Sequence, residues 1–79
     1  MDLKEYAKKE KAIGNFARLE DVWIKISHDL GVSIPLVKLW AHKQRRVSAD
    51  HVINLEKATG GEVLRHHTRP DIYPPQDYQ

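Results

Sequence analysis

A glycine, a serine and a proline stand at close intervals in LGVSIPLVKLW, residues 30–40 of this 79-residue chain. Glycine readily adopts the left-handed backbone that ends helices, so Gly31 predicts a helix terminus. Ser33 can cap a new helix, and Pro35 is tolerated in its first turn, where its missing N–H would have no intrahelical partner. The spacing therefore predicts two helices joined by a short turn.

The length of the chain restricts the fold further. At 79 residues it makes one domain, near the lower end of what a single hydrophobic core can stabilise, with no room for a large enclosed active site. An apolar fraction of 41% and a charged fraction of 30% are typical of a globular domain. Because the net charge is only +2, any nucleic-acid interface depends on where the charges lie.

Two helices are predicted before the glycine. The first covers about residues 2–12 and is capped by Asp2. The second is capped by Asn15, runs for about 15 residues and ends at Gly31. Its apolar stripe recurs at steps of three and four and consists of Phe16, Leu19, Val22, Trp23, Ile26 and Leu30.

Two further helices are predicted after the glycine. The third follows Ser33, with Val37 and Trp40 facing inward. The fourth is capped by Ser48 and stopped by two glycines. A hydrophobic staple between Val47 and Val52 is predicted to fix the start of this helix. Its core face consists of Val52, Leu55 and Ala58, and the helix ends at Gly60 and Gly61.

The C-terminal part is expected to hold at most one helical turn, near residues 64–69. Four apolar residues there make a free linker unfavourable, so residues 62–73 should pack over the first helix or against a second subunit. They are Val63, Leu64, Ile72 and Tyr73. The prediction is an all-α domain over residues 1–73, a compact bundle of four to five helices, followed by a disordered tail over residues 74–79.

Two stretches resemble a known group of regulators. LGVSIPLVKLW resembles the helix-turn-helix of Cro and CI-type, lambda repressor-like phage proteins. VSADHVINLEKATGGEVLRHHTRPDIYP is similar to the C-terminal half of YdaS-like, Cro-type prophage regulators, some of them classed as antitoxins. The resemblance covers roughly residues 14–74 and implies an often homodimeric protein that binds a double-stranded DNA operator and represses transcription. The lack of cysteine, of a signal-peptide pattern and of a membrane span predicts a cytoplasmic location.

The resemblance also implies which residues contact DNA. Lys38 would reach a guanine edge, and Ile34 or Leu39 would lie against a thymine methyl group. Ser33 and the residues after the third helix would hold phosphates, which gives affinity without reading sequence. The full predicted set is Ser33, Ile34, Pro35, Lys38, Leu39, His42, Lys43, Gln44, Arg45 and Arg46.

Two departures from the related proteins keep a second interpretation open. Ile34, Pro35 and Leu39 stand where relatives carry Gln, Ser or Arg, and a long second helix would bring Glu20 and Asp21 towards the DNA backbone, where like charges repel. Either the second helix is interrupted near these acids, or the module is an antitoxin or co-regulator. In the latter case exposed apolar residues and the long helix would contact a protein partner.

Other kinds of chemistry find little support in the sequence. There is no cysteine, and His66 and His67 are adjacent rather than spaced as metal ligands, so neither a disulfide nor a metal site is expected. No catalytic set or glycine-rich phosphate loop is recognisable, which predicts a protein that is not an enzyme and needs no cofactor. No apolar run approaches the ~20 residues of a membrane span, so no membrane association is expected.

Overall fold

Five helices form the part of the chain that the computed structural model describes, residues 1–74. They are α1 (Leu3–Ala12), α2 (Leu19–Leu30), α3 (Ile34–Ala41), α4 (Ala49–Ala58) and α5 (Arg65–Thr68). No β-strand occurs within residues 1–74, and the predicted all-α bundle is confirmed. The predicted tail beyond residue 74 lies outside the described residues.

The core is built around α2, which contacts α1, α3 and α4. Ile26 and Val22 on its inner face are completely buried, and full burial of one such side chain stabilises the fold by about 1.5–3 kcal/mol. The buried cluster draws on every helix except α5, and its members are Leu3, Tyr6, Ala7, Val22, Trp23, Ile26, Val37, Trp40, Ala41, Val47, Val52, Leu55 and Val63.

Helix α1 begins at the predicted cap. The Glu5 N–H donates to the Asp2 carboxylate at 2.8 Å, and the Asp2 N–H donates to the Glu5 carboxylate at 3.1 Å. This reciprocal capping box satisfies two backbone donors that a helix start leaves open. Asp2 also lies 3.4 Å from the ammonium of Lys43, just after α3, a position that matters for the site below.

The predicted start of α2 is wrong. Asn15 does not cap α2, because its backbone N–H donates to the Glu10 carbonyl at 3.0 Å and its side-chain amide donates to the Glu10 carboxylate at 3.3 Å. Asn15 therefore closes α1. Helix α2 starts three residues later than predicted, with Arg18 at the N-cap position, and has 12 residues rather than about 15.

The starts of α3 and α4 lie where the sequence predicts them. Ser33 Oγ accepts a hydrogen bond from the Leu36 N–H at 3.3 Å, and Pro35 occupies the first turn of α3. Ser48 stands at the N-cap of α4 but its side chain makes no capping hydrogen bond. Burial of both Val47 and Val52 agrees with the expected hydrophobic staple at this entry.

The segment after α4 packs on its own chain. Val63 is 1% exposed, and its N–H donates to Thr59 Oγ1 at 3.1 Å. On the α1 side, the N-terminal ammonium donates to the Glu62 carbonyl at 3.2 Å, and Lys9 forms an ion pair with the Glu62 carboxylate. Of the two predicted packings, over the first helix or against a second subunit, these contacts correspond to packing over the first helix. Ile72, expected to be covered, is 40% exposed.

Alkaline pH should weaken the fold through Tyr6. Burial and the Glu10 carboxylate raise the pKa of Tyr6 to about 12, above its usual value of about 10. Since the neutral hydroxyl is favoured in the folded state, its contribution is complete below pH 10 and is lost as the pH rises towards 12. The free energy of unfolding in urea should fall more steeply over this interval than in Tyr6→Phe, which cannot ionise. Parallel profiles would contradict the assignment.

Candidate nucleic-acid interface

Helices α2 and α3 form a helix-turn-helix arrangement. Gly31, at φ +69°, ends α2, and the Val32 N–H donates back to the Ser27 carbonyl at 3.0 Å. Only residues 31–33 separate the two helices. Because Val37 and Trp40 are buried, the opposite side of α3 faces outward.

The predicted DNA-contact residues share this outer side and the loop after it. Seven are exposed and three are half-buried. Of the three, Ile34 packs against the core, and neither it nor Leu39 is a large exposed apolar residue, which corrects the expectation of an exposed apolar patch. The exposed seven are Ser33, Pro35, His42, Lys43, Gln44, Arg45 and Arg46.

The loop directly after α3, residues 43–46, is a short basic segment with a defined backbone. Lys43 adopts the left-handed conformation at φ +58°, the one residue other than glycine in the described chain to do so. The N–H groups of Lys43 and Gln44 donate to the carbonyls of Trp40 and Leu39 at 3.1 and 2.9 Å. In this backbone conformation a lysine is less stable than a glycine by about 1 kcal/mol. The two backbone hydrogen bonds close the end of α3 despite this cost.

Lys38 is occupied by an ion pair. Its ammonium lies 2.9 Å from the Glu20 carboxylate in the first turn of α2. Asp21, beside it, is paired with Arg18 at 2.9 Å, and the hydrogen bond from that guanidinium lowers the pKa of Asp21. Because both carboxylates are paired, the repulsion of DNA expected from them is reduced.

Two further carboxylates face the basic segment. The Lys43 ammonium lies 3.4 Å from Asp2, and an Arg46 guanidinium nitrogen lies 3.7 Å from Asp71. Partial burial by itself raises the pKa of Asp2, but hydrogen bonds from the Glu5 N–H and Lys43 outweigh it and the net pKa is lowered. Arg45 forms no ion pair with any residue between 1 and 74.

Arg69 holds the second of these carboxylates in place. It donates to both oxygens of Asp71, at 2.9 and 2.7 Å, and also to the Val47 carbonyl at 2.8 Å. These hydrogen bonds are the main cause that lowers the pKa of Asp71 to about 2, so Asp71 stays ionised at neutral pH. The C-terminal segment is thereby attached to the loop that carries the basic segment.

The positions of Asp2 and Asp71 beside the basic segment could not be predicted from the sequence. Asp2 was identified only as a cap, and Arg69 and Asp71 only as part of the stretch RPDIYP. No local pattern indicates that Asp71 meets Arg46, because the two are brought together by the packing of the C-terminal segment.

Among residues 1–74 no group of three or more His, Asp or Glu side chains is placed to hold a metal ion. The ring centroids of the adjacent His66 and His67 lie 4.3 Å apart, and His67 Nδ1 lies 2.8 Å from the N-terminal nitrogen. Within the same range, no helix combines the length and apolarity needed to cross a membrane.

The described part of the chain is thus a small all-helical bundle in which a helix-turn-helix arrangement is followed directly by an exposed basic segment. The chain belongs to the YdaS family: the family model described as "Bacterial toxin YdaS" matches residues 24–77. It is also 46% identical over 43 residues to the "Putative transcriptional regulator YdaS" of Escherichia coli (strain K12). That match covers 54% of this chain and 44% of the relative, so this chain spans less than half the relative's length. No solved structure matches the chain.

The family match begins inside α2 and includes α3 and the basic segment. Helix α1 lies outside it, although Leu3, Tyr6 and Ala7 belong to the core. Of the three acids facing the predicted contact surface, Asp2 and Glu20 also lie outside the match, whereas Asp71 lies within it.

Proposed function

We propose that this protein is a transcription regulator that binds duplex DNA, a repressor of the Cro type, through α3 and the basic segment. The observation that carries the proposal is the cluster of three exposed cations in four residues directly after the second helix of a helix-turn-helix arrangement. The name of the Escherichia coli relative, "Putative transcriptional regulator YdaS", supports it. We also propose that the protein is cytoplasmic, is not an enzyme and is encoded by a prophage.

The side chains on this surface favour affinity over sequence reading. Lys43, Arg45 and Arg46 are exposed and suited to phosphates, which fix position and register. Lys38 reads a guanine edge only if it leaves Glu20, and the apolar Ile34 and Leu39 offer contacts to thymine methyl groups rather than hydrogen bonds. We therefore expect a large salt-dependent component and modest discrimination among sequences.

Operator binding is proposed to occur as a homodimer. A two-fold axis would place two copies of α3 about 34 Å apart, one turn of DNA, and would add the weak base contacts of the two copies. Analytical ultracentrifugation with and without duplex tests this part. A complex of one chain per duplex at saturating protein would contradict it.

The direct test is a titration of labelled mixed-sequence duplex by fluorescence anisotropy at 50 and 200 mM salt. If the three cations of the basic segment together with helix-end contacts neutralise about six phosphates, affinity should fall by about a thousandfold between these conditions. Absence of binding at the lower salt would end the proposal.

Removing the carboxylate that faces Arg46 should strengthen DNA binding. Asp71→Asn frees the guanidinium and removes a negative charge next to the phosphates, and an exposed pair of this kind is worth up to about 1 kcal/mol, or about fivefold in affinity. Asp29→Asn is the matched control, because Asp29 is also half-exposed and paired, but with Lys25 on α2. Equal effects of the two changes in the anisotropy titration would show that only net charge matters.

A protein partner is the second candidate function. The family description names a toxin, and three of the four Lys and Arg side chains on the predicted surface are already paired with carboxylates, which favours an antitoxin-like or co-regulator role. The contact surface would differ from the one first expected, because α2 is shorter and Ile34 packs against the core. A pull-down from the native host with and without nuclease separates the candidates. A stoichiometric protein partner that is still captured after nuclease treatment favours the protein-binding role.

A further inference from the structure

An open pocket of about 330 Å³ lies behind the basic segment, where the N-terminus, the end of α3 and α5 meet. Its volume is at the lower end of the range for small-molecule sites, about 300–1,000 Å³, which suits a molecule of one or two rings. Nothing in the proposed DNA contacts uses this cavity. It is formed partly by α1, which lies outside the family match.

The floor of the pocket is apolar. It is made by core side chains that are each less than 10% exposed, among them Trp40 at 6%, Val47 at 7% and Leu3 at 5%. An aromatic ring seated there would remove apolar surface from water on both partners, and Trp40 adds the favourable contact of a second aromatic ring.

The rim of the pocket is cationic. Lys43, Arg45 and Arg46 line it, against the single lining carboxylate of Asp2. Asp2 is engaged by the Glu5 N–H and by Lys43, and Asp71 lies near Arg46, so the cation left for an incoming anion is Arg45. A guanidinium matches the oxygen pairs of a carboxylate or phosphate and binds them with charge-assisted hydrogen bonds.

We propose that this pocket binds a small aromatic anion, an aryl phosphate or aryl carboxylate, with the ring on the Trp40 floor and the anionic group on Arg45. This goes beyond the proposed function, since the site requires no DNA. Because the anion occupies Arg45, its binding competes with the binding of any phosphate by the basic segment.

Phenyl phosphate is the probe, titrated in the absence of DNA against the Trp23→Phe chain so that Trp40 alone reports by fluorescence. We expect a saturable change, with affinity at least about tenfold above that of inorganic phosphate, which lacks the ring, and of phenol, which lacks the charge. Arg45→Gln should weaken binding at least about fivefold, whereas Lys57→Gln, an exposed lysine on α4, should not.

Amide shifts on the native chain provide a second measurement that does not depend on the Trp23 replacement. Phenyl phosphate should move the signals of residues 43–47 and of His67 and Thr68, which line the same cavity. Absence of saturable shifts, equal binding by Arg45→Gln, or equal affinity for inorganic phosphate would each overturn the proposal. Because DNA is absent, none of these outcomes bears on the proposed function.

Discussion

A chain that ends at Gly61 should fail to fold. Truncation removes Val63, whose burial alone is worth about 1.5–3 kcal/mol, and removes its hydrogen bond to Thr59. It also removes Arg65, which donates at 2.6 Å to the Glu56 carboxylate, a side chain only 12% exposed. Loss of one hydrogen-bonded partner of such a carboxylate is costly, and small domains have only about 5–15 kcal/mol of stability.

Thermal unfolding followed by circular dichroism checks this expectation. The truncated chain should show no cooperative transition at any concentration, because the lost contacts lie within one chain. A chain that ends at Pro74 is the control, since it keeps every contact described above. A truncated chain that folds as a monomer but no longer dimerises would instead place residues 62–73 in a subunit interface, and an unchanged melting temperature would make the segment passive.

Replacement of Lys43, Arg45 and Arg46 together by glutamine should lower the affinity for mixed-sequence duplex by about 100-fold at 0.1 M salt. Each cation that meets a phosphate releases counterions, so the slope of log affinity against log salt should flatten by about 2.7 for each bound chain. All three side chains are exposed, and their loss should leave the fold intact. Anisotropy titrations over a salt series measure both quantities.

The matched control replaces Lys8, Lys11 and Lys57 by glutamine. These lysines are also exposed and the change in net charge is the same, but they lie on α1 and α4 rather than beside α3. Their replacement should leave the salt slope nearly unchanged. If both triple variants lose affinity equally, the basic segment is not the contact surface.

The helix starts at Asp2, Ser33 and Ser48 could be predicted because each depends on neighbouring residues. Asp2 and Ser33 each accept a hydrogen bond from a backbone N–H three residues away. The start of α4 at Ser48 is marked by the nearby buried pair Val47 and Val52, so the information is local in the sequence. The end of α2 at Gly31 follows in the same way from its left-handed backbone.

Asn15 shows where local reasoning fails. Its side chain has two possible uses, to cap α2 or to complete α1, and the choice depends on Glu10. That carboxylate is largely buried and also accepts a hydrogen bond from the Tyr6 hydroxyl at 3.4 Å, so it needs further donors. Since burial of Glu10 comes from the packing of the whole bundle, the sequence alone could not decide between the two uses.

In the candidate site, too, some features could be predicted from the sequence and others could not. Its cations were predictable, because they adjoin a helix whose start and inner face are recognisable in the sequence. Their partners were not, since the pairs that join Asp2 to Lys43 and Asp71 to Arg46 link residues far apart in the chain. These carboxylates lower the affinity for DNA that the cations alone would predict, because each competes with a phosphate for the same cation.

Amide chemical-shift mapping of the labelled chain with a short mixed-sequence duplex tests the central claim most directly. At low salt the account predicts saturable shifts at residues 33–46, strongest in the basic segment, with little change at the exposed Ile13 and Ile24. Absence of shifts, or shifts centred on α1 and the outer side of α2 instead, would contradict it.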